Sequence, residues 1–346
     1  MNSQQVLELP YYHDIETIFL PFMPSFACAH FNGEWLPSDS INELIKYSFE
    51  LQHPLQLLDS EDKKANITKW LGELSKNKVY QPSLFGGNGN EEITYLLDSL
   101  LSLRKDNRAL YKRWKQKVNG KERDLAVPQK ALEELLKGYV LPLIMSAPCH
   151  SQCHGGEKGW SAQKSLATHL PFKSVLSFDL SDAFKNIELP YVYDFYHRNM
   201  GQIEDPIQRM EVAGFLTTIS TVYDGDRNSS VLPQGSPISA ALFNRILYPI
   251  DELFFQYCQD KKLTYTRWID DFTISSKKRG IAMEVLELAG RAFPINPRKI
   301  FFQTEDRSAV FYLLGHKIMG NIIVPVSREE SKNRGEPISL GEEDRF

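Results

Sequence analysis

An apolar stretch of the chain is interrupted by two acids, and this arrangement limits the fold more than any other feature. Residues 263–268 and 272–276 are short runs with aromatic and β-branched side chains, and Ile269, Asp270 and Asp271 separate them. Runs of this composition, joined by so few residues, predict a β-hairpin with the acids at its tip. Carboxylates between apolar strands are costly unless a cation neutralises them. The sequence therefore indicates a cation site at the edge of a sheet.

A third acid, Asp179, ends another β-rich run, KSVLSFD (173–179). Helical patterns follow over residues 190–200, 206–218 and 236–259, and after the hairpin come a helix over 279–293 and strands over 300–303 and 310–318. This order is the split-βαβ plan of a ferredoxin-like sheet, so the expected fold class is α+β. Strand ends can lie side by side in such a sheet, where three carboxylates can bind two hard cations about 4 Å apart.

The chain before residue 173 has a more mixed pattern. Residues 40–52 and 91–103 have helical periodicity, and the glycine-rich stretch SLFGGNGNEE (83–92) predicts an exposed loop. A basic run is interpreted as the end of a helix, followed by a hairpin turn at NGK (119–121) and a helix over 129–143. A charge run is usually a solvated face, so it is weak evidence for nucleic-acid binding. Its cationic residues are Lys112, Arg113, Lys115, Lys117, Lys121 and Arg123.

Composition excludes some classes of protein. The net charge of -4 is not the basic balance that is typical of duplex-binding proteins. Four cysteines (Cys28, Cys149, Cys153 and Cys258) give no disulfide framework. No apolar stretch approaches the ~20 residues that span a membrane, and the first residues lack the basic start and apolar run of a secretory signal. We therefore expect a cytoplasmic protein with no membrane partner.

Several short motifs follow one another in an order that is specific even though each motif is degenerate. They resemble the fingers and palm motifs of reverse transcriptases, over roughly residues 111–317. In chain order they are GKERDLAVPQK (120–130), HGGEKGWSAQKSLATH (154–169), SFDLSDAF (177–184), LPQGSPIS (232–239), RWIDDF (267–272), INPRK (295–299) and YLLG (312–315).

The resemblance implies a right-hand polymerase with fingers, a ferredoxin-like palm and a reduced or absent thumb. It places a mostly helical N-terminal extension at residues 1–110, fingers at 111–172 and the palm at 173–317. A polar tail at 318–346 would stand in place of a full thumb.

The same resemblance implies a role for each matching residue. Asp179, Asp270 and Asp271 are the expected catalytic and metal-binding acids, joined by the backbone carbonyl of Leu180, and they would hold two Mg²⁺ ions, with Mn²⁺ as an alternative. Phe184 matches the steric gate that selects deoxynucleotides. The expected nucleotide-binding residues are Lys121, Arg123, Asp182, Ala183, Phe184, Gln234, Gly235 and Lys299, of which Lys299 would donate a proton to pyrophosphate. The expected primer contacts are Trp268, Leu313 and Gly315.

The implied function is RNA-directed DNA synthesis from dNTPs on an RNA template, which includes a dedicated noncoding RNA as one option. An oligomer or a second protein subunit would supply the grip of the missing thumb. The chain resembles the bacterial defence-associated, retron-like group, although it lacks the Val-Thr-Gly element of retron enzymes. Two alternatives stay open: untemplated or protein-templated DNA synthesis by the same palm, and a catalytically silent nucleic-acid-binding scaffold.

The motif CHSQCH (149–154) raises a separate question. Cys149, His150, Cys153 and His154 are all capable of binding zinc, but no second ligand pair follows nearby in the sequence. Packing within the fingers is therefore the favoured interpretation, with a zinc site as the alternative.

Overall fold

The computed structural model describes residues 30–31, 34–35, 54–76, 89–106, 109–118, 121–278, 281, 284–305 and 310–326. These residues belong to two compact units. One unit comprises residues 1–24, 149–183 and 247–346, and the other comprises residues 25–148 and 184–246.

The described elements mix strands and helices throughout. The strands are β1 (His30–Phe31), β2 (Glu34–Trp35), β3 (Tyr111–Val118), β4 (Lys121–Pro128), β5 (Ser174–Asp179), β6 (Val222–Asp224), β7 (Ser229–Val231), β8 (Thr264–Trp268), β9 (Asp271–Ser276), β10 (Phe301–Thr304), β11 (Phe311–Leu313), β12 (His316–Met319) and β13 (Ile322–Pro325). The α-helices are α1 (Glu61–Lys76), α2 (Gly89–Lys105), α3 (Lys130–Leu135), α4 (Leu141–Ser146), α5 (Ala162–Ala167), α6 (Leu189–Arg198), α7 (Pro206–Ser220), α8 (Ser239–Ile246), α9 (Tyr248–Asp260) and α10 (Glu284–Ala292). Among the helices in these ranges, none is both long enough and apolar enough to cross a membrane.

A four-stranded antiparallel sheet forms the centre of the first unit. Its order is β10–β5–β9–β8, which is the split-βαβ plan expected from the sequence. The α+β fold class is therefore confirmed. One face is apolar: Phe178 stacks on Phe272 with ring centroids 4.9 Å apart, and Phe254 of α9 packs on Phe272 at 5.2 Å. A second apolar cluster is formed by the buried residues Leu166, Val175, Phe311, Leu313 and Ile318.

The second unit is built from the β3–β4 hairpin and from helices. Tyr111 fixes the start of the hairpin, because its buried hydroxyl donates to the carbonyl of Ile219 at 2.7 Å. The basic run predicted as a helix end is strand β3 instead. Its cross-strand register places Lys115 opposite Asp124 and Lys117 opposite Glu122. Opposite charges in directly facing positions stabilise a ladder, and this pairing favours the strand.

Other differences from the sequence predictions concern breaks within elements. The long helix predicted over 236–259 ends at Ile246 and restarts at Tyr248, because Pro249 in the first turn of α9 has no N–H to continue the ladder. The helix predicted over 129–143 is α3, a π-helical turn (Leu136–Val140) and α4. The strand predicted over 310–318 is the β11–β12 hairpin, with positive φ at Leu314 (46°) and Gly315 (72°).

Some predictions fall at the limits of the described residues. The helix predicted over 40–52 lies outside them, as do residues 83–88 of the predicted loop, while residues 89–92 form the first turn of α2. The helix predicted over 91–103 is α2 and is confirmed. Of the residues assigned to a polar tail, 318–326 lie in or beside strands β12 and β13, and 327–346 are outside the described part of the chain.

Candidate active site and metal centre

Three acids meet at the edge of the central sheet. Asp179 is the last residue of β5, and Asp271, the first residue of β9, is its direct partner in the ladder. Asp179, Asp270 and Asp271 each offer a carboxylate oxygen, and these atoms lie within 4.8 Å of one another. Asp179 is buried and the other two are half-buried. Carboxylate oxygens are the ligands that Mg²⁺ and Mn²⁺ prefer, so this group fits a divalent cation.

The electrostatics of the cluster favour the same conclusion. Burial, reinforced by the charge of Asp179, raises the pKa of Asp270 to about 6. Burial, together with the charges of Asp270 and Asp179, raises the pKa of Asp271 to about 7. Lys299 forms a short ion pair with Asp179, and its charge acts in the opposite direction on both pKa values. The excess negative charge of the cluster is what a divalent cation would neutralise.

The motif INPRK holds the end of β5 in place. Asn296 donates its backbone N–H to the carbonyl of Asp179 at 2.9 Å, and Ser181 donates to the carbonyl of Pro294 at 2.8 Å. The Asn296 side chain accepts from Arg298 N at 3.2 Å and caps a short 3₁₀ helix (Pro297–Lys299). This turn brings the Lys299 ammonium to the carboxylate of Asp179. Asn296 itself was not identified from the sequence.

The turn between β8 and β9 adopts an unusual backbone conformation. Ile269 has φ of +58°, a region that is a true outlier for a β-branched residue. The carbonyl of the following residue, Asp270, accepts from Leu180 N–H at 3.1 Å. Trp268, the predicted primer contact before the turn, is half-buried and pairs with Asp271 in the ladder.

Gly155 approaches this turn so closely that no side chain fits. A Cβ on Gly155 would lie 2.7 Å from the carbonyl carbon and 2.8 Å from the Cα of Trp268, and closest of all to the backbone nitrogen of Ile269. Real Cβ atoms are not found at such distances from backbone. The only signal in the sequence is the pair of consecutive glycines, Gly155 and Gly156. Such a pair indicates a tight backbone conformation but does not reveal which segment the backbone contacts.

Predicted nucleotide-binding residues come together within the second unit. Lys121 begins β4, and Arg123, two positions later, is exposed. The carbonyl of Gln234 accepts from Ala126 N at 2.7 Å. Gly235, with φ of +111°, packs so close to β4 that a Cβ would meet the side chain of Val127 at 3.1 Å. The predicted base-contacting turn therefore lies against the strand that carries the predicted triphosphate-binding pair.

The predicted steric gate lies in a short 3₁₀ helix (Ala183–Asn186). Phe184 is half-buried, and its ring packs against that of the buried Phe243 with centroids 5.2 Å apart. Ala183 is buried, whereas Asp182 is exposed and has φ of +46°. A buried aromatic behind it gives the Phe184 ring a fixed support.

The two other predicted primer contacts differ in exposure. Leu313 is 3% exposed and belongs to the apolar cluster defined above, so its side chain is part of the core. Gly315 is exposed in the β11–β12 turn.

Three of the four potential zinc ligands have polar partners outside the motif. His150 Nε2 lies 3.3 Å from a carboxylate oxygen of Glu252. His154 bonds to Ser165 Oγ at 2.8 Å and stacks on Trp160, while Cys153 Sγ accepts a guanidinium hydrogen at 3.1 Å. Cys149 is half-buried. These contacts account for His150, Cys153 and His154 as packed groups, which is the interpretation favoured from the sequence.

Sequence reasoning also missed a buried ion pair behind the turn, between Arg267 and Asp251. A signal was present, because Arg267 alternates with Tyr265 along an apolar strand, and a charge facing a core requires a partner.

Comparisons with known proteins agree with the motif order. Residues 115–318, more than half of the chain, match the family model described as reverse transcriptase (RNA-dependent DNA polymerase). The chain is 28% identical over 230 residues to the retron Mx65 reverse transcriptase of Myxococcus xanthus, covering 62% of this chain and 52% of that protein. It is 29% identical over 156 residues to the retron Ec86 reverse transcriptase of Escherichia coli, covering 45% and 44%. The chain thus spans about half the length of these curated relatives.

Among solved structures, the chain is similar to a telomerase from Candida tropicalis in complex with a TWJ fragment of telomeric RNA. The identity is 12% and the TM-score 0.46, over 63% of this chain and 45% of that chain. A likeness this distant adds nothing to the assignment.

Proposed function

The chain belongs to the reverse transcriptase family, and on that premise we propose that it is an RNA-directed DNA polymerase that extends a primer 3′-hydroxyl with deoxynucleotides. One observation carries the proposal: Asp179, Asp270 and Asp271 converge at the edge of the central sheet, inside the region that matches the family. Three partly buried carboxylates repel one another and are costly to desolvate. Bound cations would neutralise them, and cations held in this way catalyse phosphoryl transfer.

The metal site that we propose is formed by the three carboxylates and the backbone carbonyl of Leu180. Two Mg²⁺ ions, or Mn²⁺ in their place, would activate the primer hydroxyl and neutralise the charge on the departing pyrophosphate. The raised pKa values of Asp270 and Asp271 support this proposal, because burial and, to a smaller extent, the neighbouring carboxylates disfavour the charged acids, and a bound cation would offset both effects. Lys299, already beside Asp179, would donate a proton to the pyrophosphate.

The incoming nucleotide would be bound by the residues that match the family's nucleotide-binding motifs. Arg123 suits bidentate contact with phosphate, and Lys121 provides a point charge. Gln234 and Gly235 would contact the templating base pair, which requires the close backbone approach that glycine permits. Phe184 would exclude a 2′-hydroxyl, and Asp182 and Ala183, which precede it in the chain, would also contact the nucleotide. The packing of the Phe184 ring on Phe243 supports this role, because a ring that excludes a 2′-hydroxyl by steric contact has to be held in a fixed position.

The primer terminus would be contacted by Trp268 and by the hairpin that carries Leu313 and Gly315. Since the Leu313 side chain is buried, we expect its contribution to come from the backbone.

For the domains we propose fingers over residues 111–172 and a palm over residues 173–317, with residues 1–110 as an N-terminal extension. The central sheet, β5 with β8 to β10, lies within the proposed palm. Residues 318–346 would form a polar segment after the palm, and we also propose an oligomer or a second protein subunit as partner.

For the biological role we propose antiphage defence in the bacterial cytoplasm, with a dedicated noncoding RNA as template. The motif resemblance to the defence-associated, retron-like group supports this role. Phage plating on bacteria that express the protein tests it directly. We expect fewer plaques with the wild type than with an Asp270→Asn/Asp271→Asn variant, and equal plaque counts would reject the defence role.

The polymerase proposal is tested by the sequence of the product. The protein is purified with any RNA that it retains, supplied with the four dNTPs and Mg²⁺, and the DNA is sequenced. We expect DNA complementary to a retained or added RNA, and RNase treatment beforehand should abolish it. Homopolymers or repeats that persist after RNase treatment would instead identify untemplated or protein-templated synthesis. Absence of DNA would favour a catalytically silent scaffold.

A further inference from the structure

Arg267 is a fully buried arginine directly behind the acidic turn. Its side chain is 0% exposed, as is that of its ion-pair partner Asp251 on α9. The guanidinium donates through Nε to Asp251 Oδ1 and through Nη2 to Asp251 Oδ2, both at 2.6 Å. Tyr265 donates its hydroxyl to Asp251 Oδ1, also at 2.6 Å. The pair is therefore bidentate and supported from a third direction.

The same guanidinium also contacts the turn. Nη1 donates to the carbonyl oxygen of Ile269 at 2.6 Å, and Ile269 is the residue held at a φ of +58°. A β-branched residue persists in that conformation only where its surroundings impose it. The next two residues along the chain are Asp270 and Asp271. One planar group therefore joins helix α9 to the residue that directly precedes both acids.

The backbone of Arg267 is fixed by the segment that contains the CHSQCH motif. Arg267 N–H donates to the carbonyl of Gln152 at 2.8 Å, and its own carbonyl accepts from His154 N–H at 2.8 Å and Gly155 N–H at 3.3 Å. Cys153 Sγ accepts from Nη2 of the guanidinium at 3.1 Å. Backbone and side chain of Arg267 are thus both constrained, which leaves the turn little freedom to move.

A buried ion pair is weak evidence for stability, because apolar residues of similar volume often stabilise a protein at least as well. After the bidentate pair is formed, Nη1 is directed at the turn and the second hydrogen of Nη2 at Cys153 Sγ. We propose that the Arg267–Asp251 pair is a positioning device that holds the Ile269 carbonyl, and through it orients Asp270 and Asp271 for cation binding. The inference rests on the proposed polymerase function. Arginine is required because a lysine ammonium cannot present a planar fork to Asp251 and a third donor to Ile269.

The decisive variant is Arg267→Lys, which keeps the buried charge, and its matched control is Tyr265→Phe. The control removes one hydrogen bond to Asp251 but leaves the contact with the turn intact. For each protein we would measure kcat and KM for dNTP, the thermal unfolding midpoint, and Mn²⁺ affinity by electron paramagnetic resonance of the protein alone. Rates are divided by the folded fraction at the assay temperature, so that partial unfolding of either variant does not obscure the result.

We expect Arg267→Lys to lower kcat by about 10- to 100-fold, the effect of misplacing reacting groups by roughly an ångström. KM for dNTP should stay within about twofold, because the proposed triphosphate contacts are elsewhere, and Mn²⁺ should bind several-fold more weakly. Tyr265→Phe should lower the unfolding midpoint while kcat and Mn²⁺ affinity stay near wild type. A loss of kcat in Arg267→Lys without a loss in Tyr265→Phe is a result that a merely stabilising ion pair would not produce.

Two results would overturn the inference. One is a kcat per folded Arg267→Lys molecule, and a Mn²⁺ affinity, equal to those of the wild type. The other is an equal loss of kcat in Tyr265→Phe, which would mean that general loosening of the cluster is responsible. If the wild type itself makes no DNA, the proposed function fails, and the Mn²⁺ affinities alone then decide whether Arg267 positions the acids.

Discussion

Replacing His169 with glutamine should make the protein less sensitive to acid. His169 is buried beneath the central sheet, where its Nδ1 bonds to Ser275 Oγ at 2.7 Å and its Nε2 to Thr266 Oγ1 at 2.8 Å. Burial, with a smaller contribution from the charge of His154, lowers the pKa of His169 to about 3. The native state therefore holds this imidazole in its neutral form at neutral pH.

The direction of the effect follows from which state binds the proton. In the unfolded chain the imidazole has its ordinary pKa of 6.5. As the pH falls below that value, the unfolded state binds a proton that the folded state does not bind. The free energy of unfolding therefore decreases until the pH reaches the pKa of His169 in the folded state. Between pH 7 and pH 5 this single group should cost about 2 kcal/mol of unfolding free energy, at 1.36 kcal/mol per unit of pKa.

The assay is urea unfolding of the wild type and of His169→Gln at pH 7 and pH 5. Glutamine keeps one donor and one acceptor but does not titrate. At pH 7 the variant should be the less stable protein, because glutamine cannot reproduce both hydrogen bonds. At pH 5 the difference between the two proteins should shift by about 2 kcal/mol in favour of the variant.

In the difference between the variant and the wild type, the contributions of the other titrating groups to the pH dependence of the unfolding free energy cancel. The raised pKa values of Asp270 and Asp271 act in the opposite direction, since these acids take up protons in the folded state as the pH falls from 7 to 5. They are present in both proteins and cancel in the difference. If the two proteins lose the same unfolding free energy between pH 7 and pH 5, His169 does not have a depressed pKa, and the reasoning is refuted.

Three further predictions concern the active site. Gly155→Ala should lower primer-extension kcat by about 100-fold while the protein stays folded by circular dichroism, because a Cβ there displaces the backbone of the acidic turn. An unchanged kcat would contradict the close approach, and Gly201→Ala, where the new Cβ meets nothing within 4 Å, controls for glycine replacement. Phe184→Ala should raise incorporation of ribonucleotides relative to deoxynucleotides in single-nucleotide assays, and an unchanged ratio would remove Phe184 as the gate. Lys299→Met should raise the pKa of Asp270 and Asp271 further, because the lysine charge lowers both. At pH 8.5, where the acids are ionised, Mg²⁺ should half-saturate the variant at a lower concentration than the wild type, because the cation beside Asp179 that repels the metal is gone; an equal or higher Mg²⁺ requirement would exclude this electrostatic role.

The parts of the structure that were predictable depend on local patterns. Alternating apolar runs and an Asp-Asp pair between them specify a hairpin tip, and the end of β5 completes the cluster once the sheet order is known. These are regularities within a few residues of one another. The split-βαβ order of the sheet follows from the succession of such elements.

What could not be predicted depends on contacts between distant segments. Gly155 is required because a loop from elsewhere in the sequence packs on the turn, and sequence spacing does not reveal that approach. Arg267 begins the RWIDDF motif, but no motif marks Asp251, and only the juxtaposition of α9 with β8 makes them a pair. In strand β3, acids of β4 face two lysines of the basic run, Lys115 and Lys117, and charge counting along one segment misses such a cross-strand effect.

The central claim is that Asp179, Asp270 and Asp271 form the catalytic centre of an RNA-directed DNA polymerase. Its most direct test is the rate of Mg²⁺-dependent primer extension on an RNA template by the wild type and by Asp270→Asn/Asp271→Asn, with both proteins shown to fold. We predict template-complementary DNA from the wild type and a rate lower by at least about three orders of magnitude from the variant, as expected when the cation ligands are lost. The same rate from both proteins, or no DNA from the wild type, would contradict the claim.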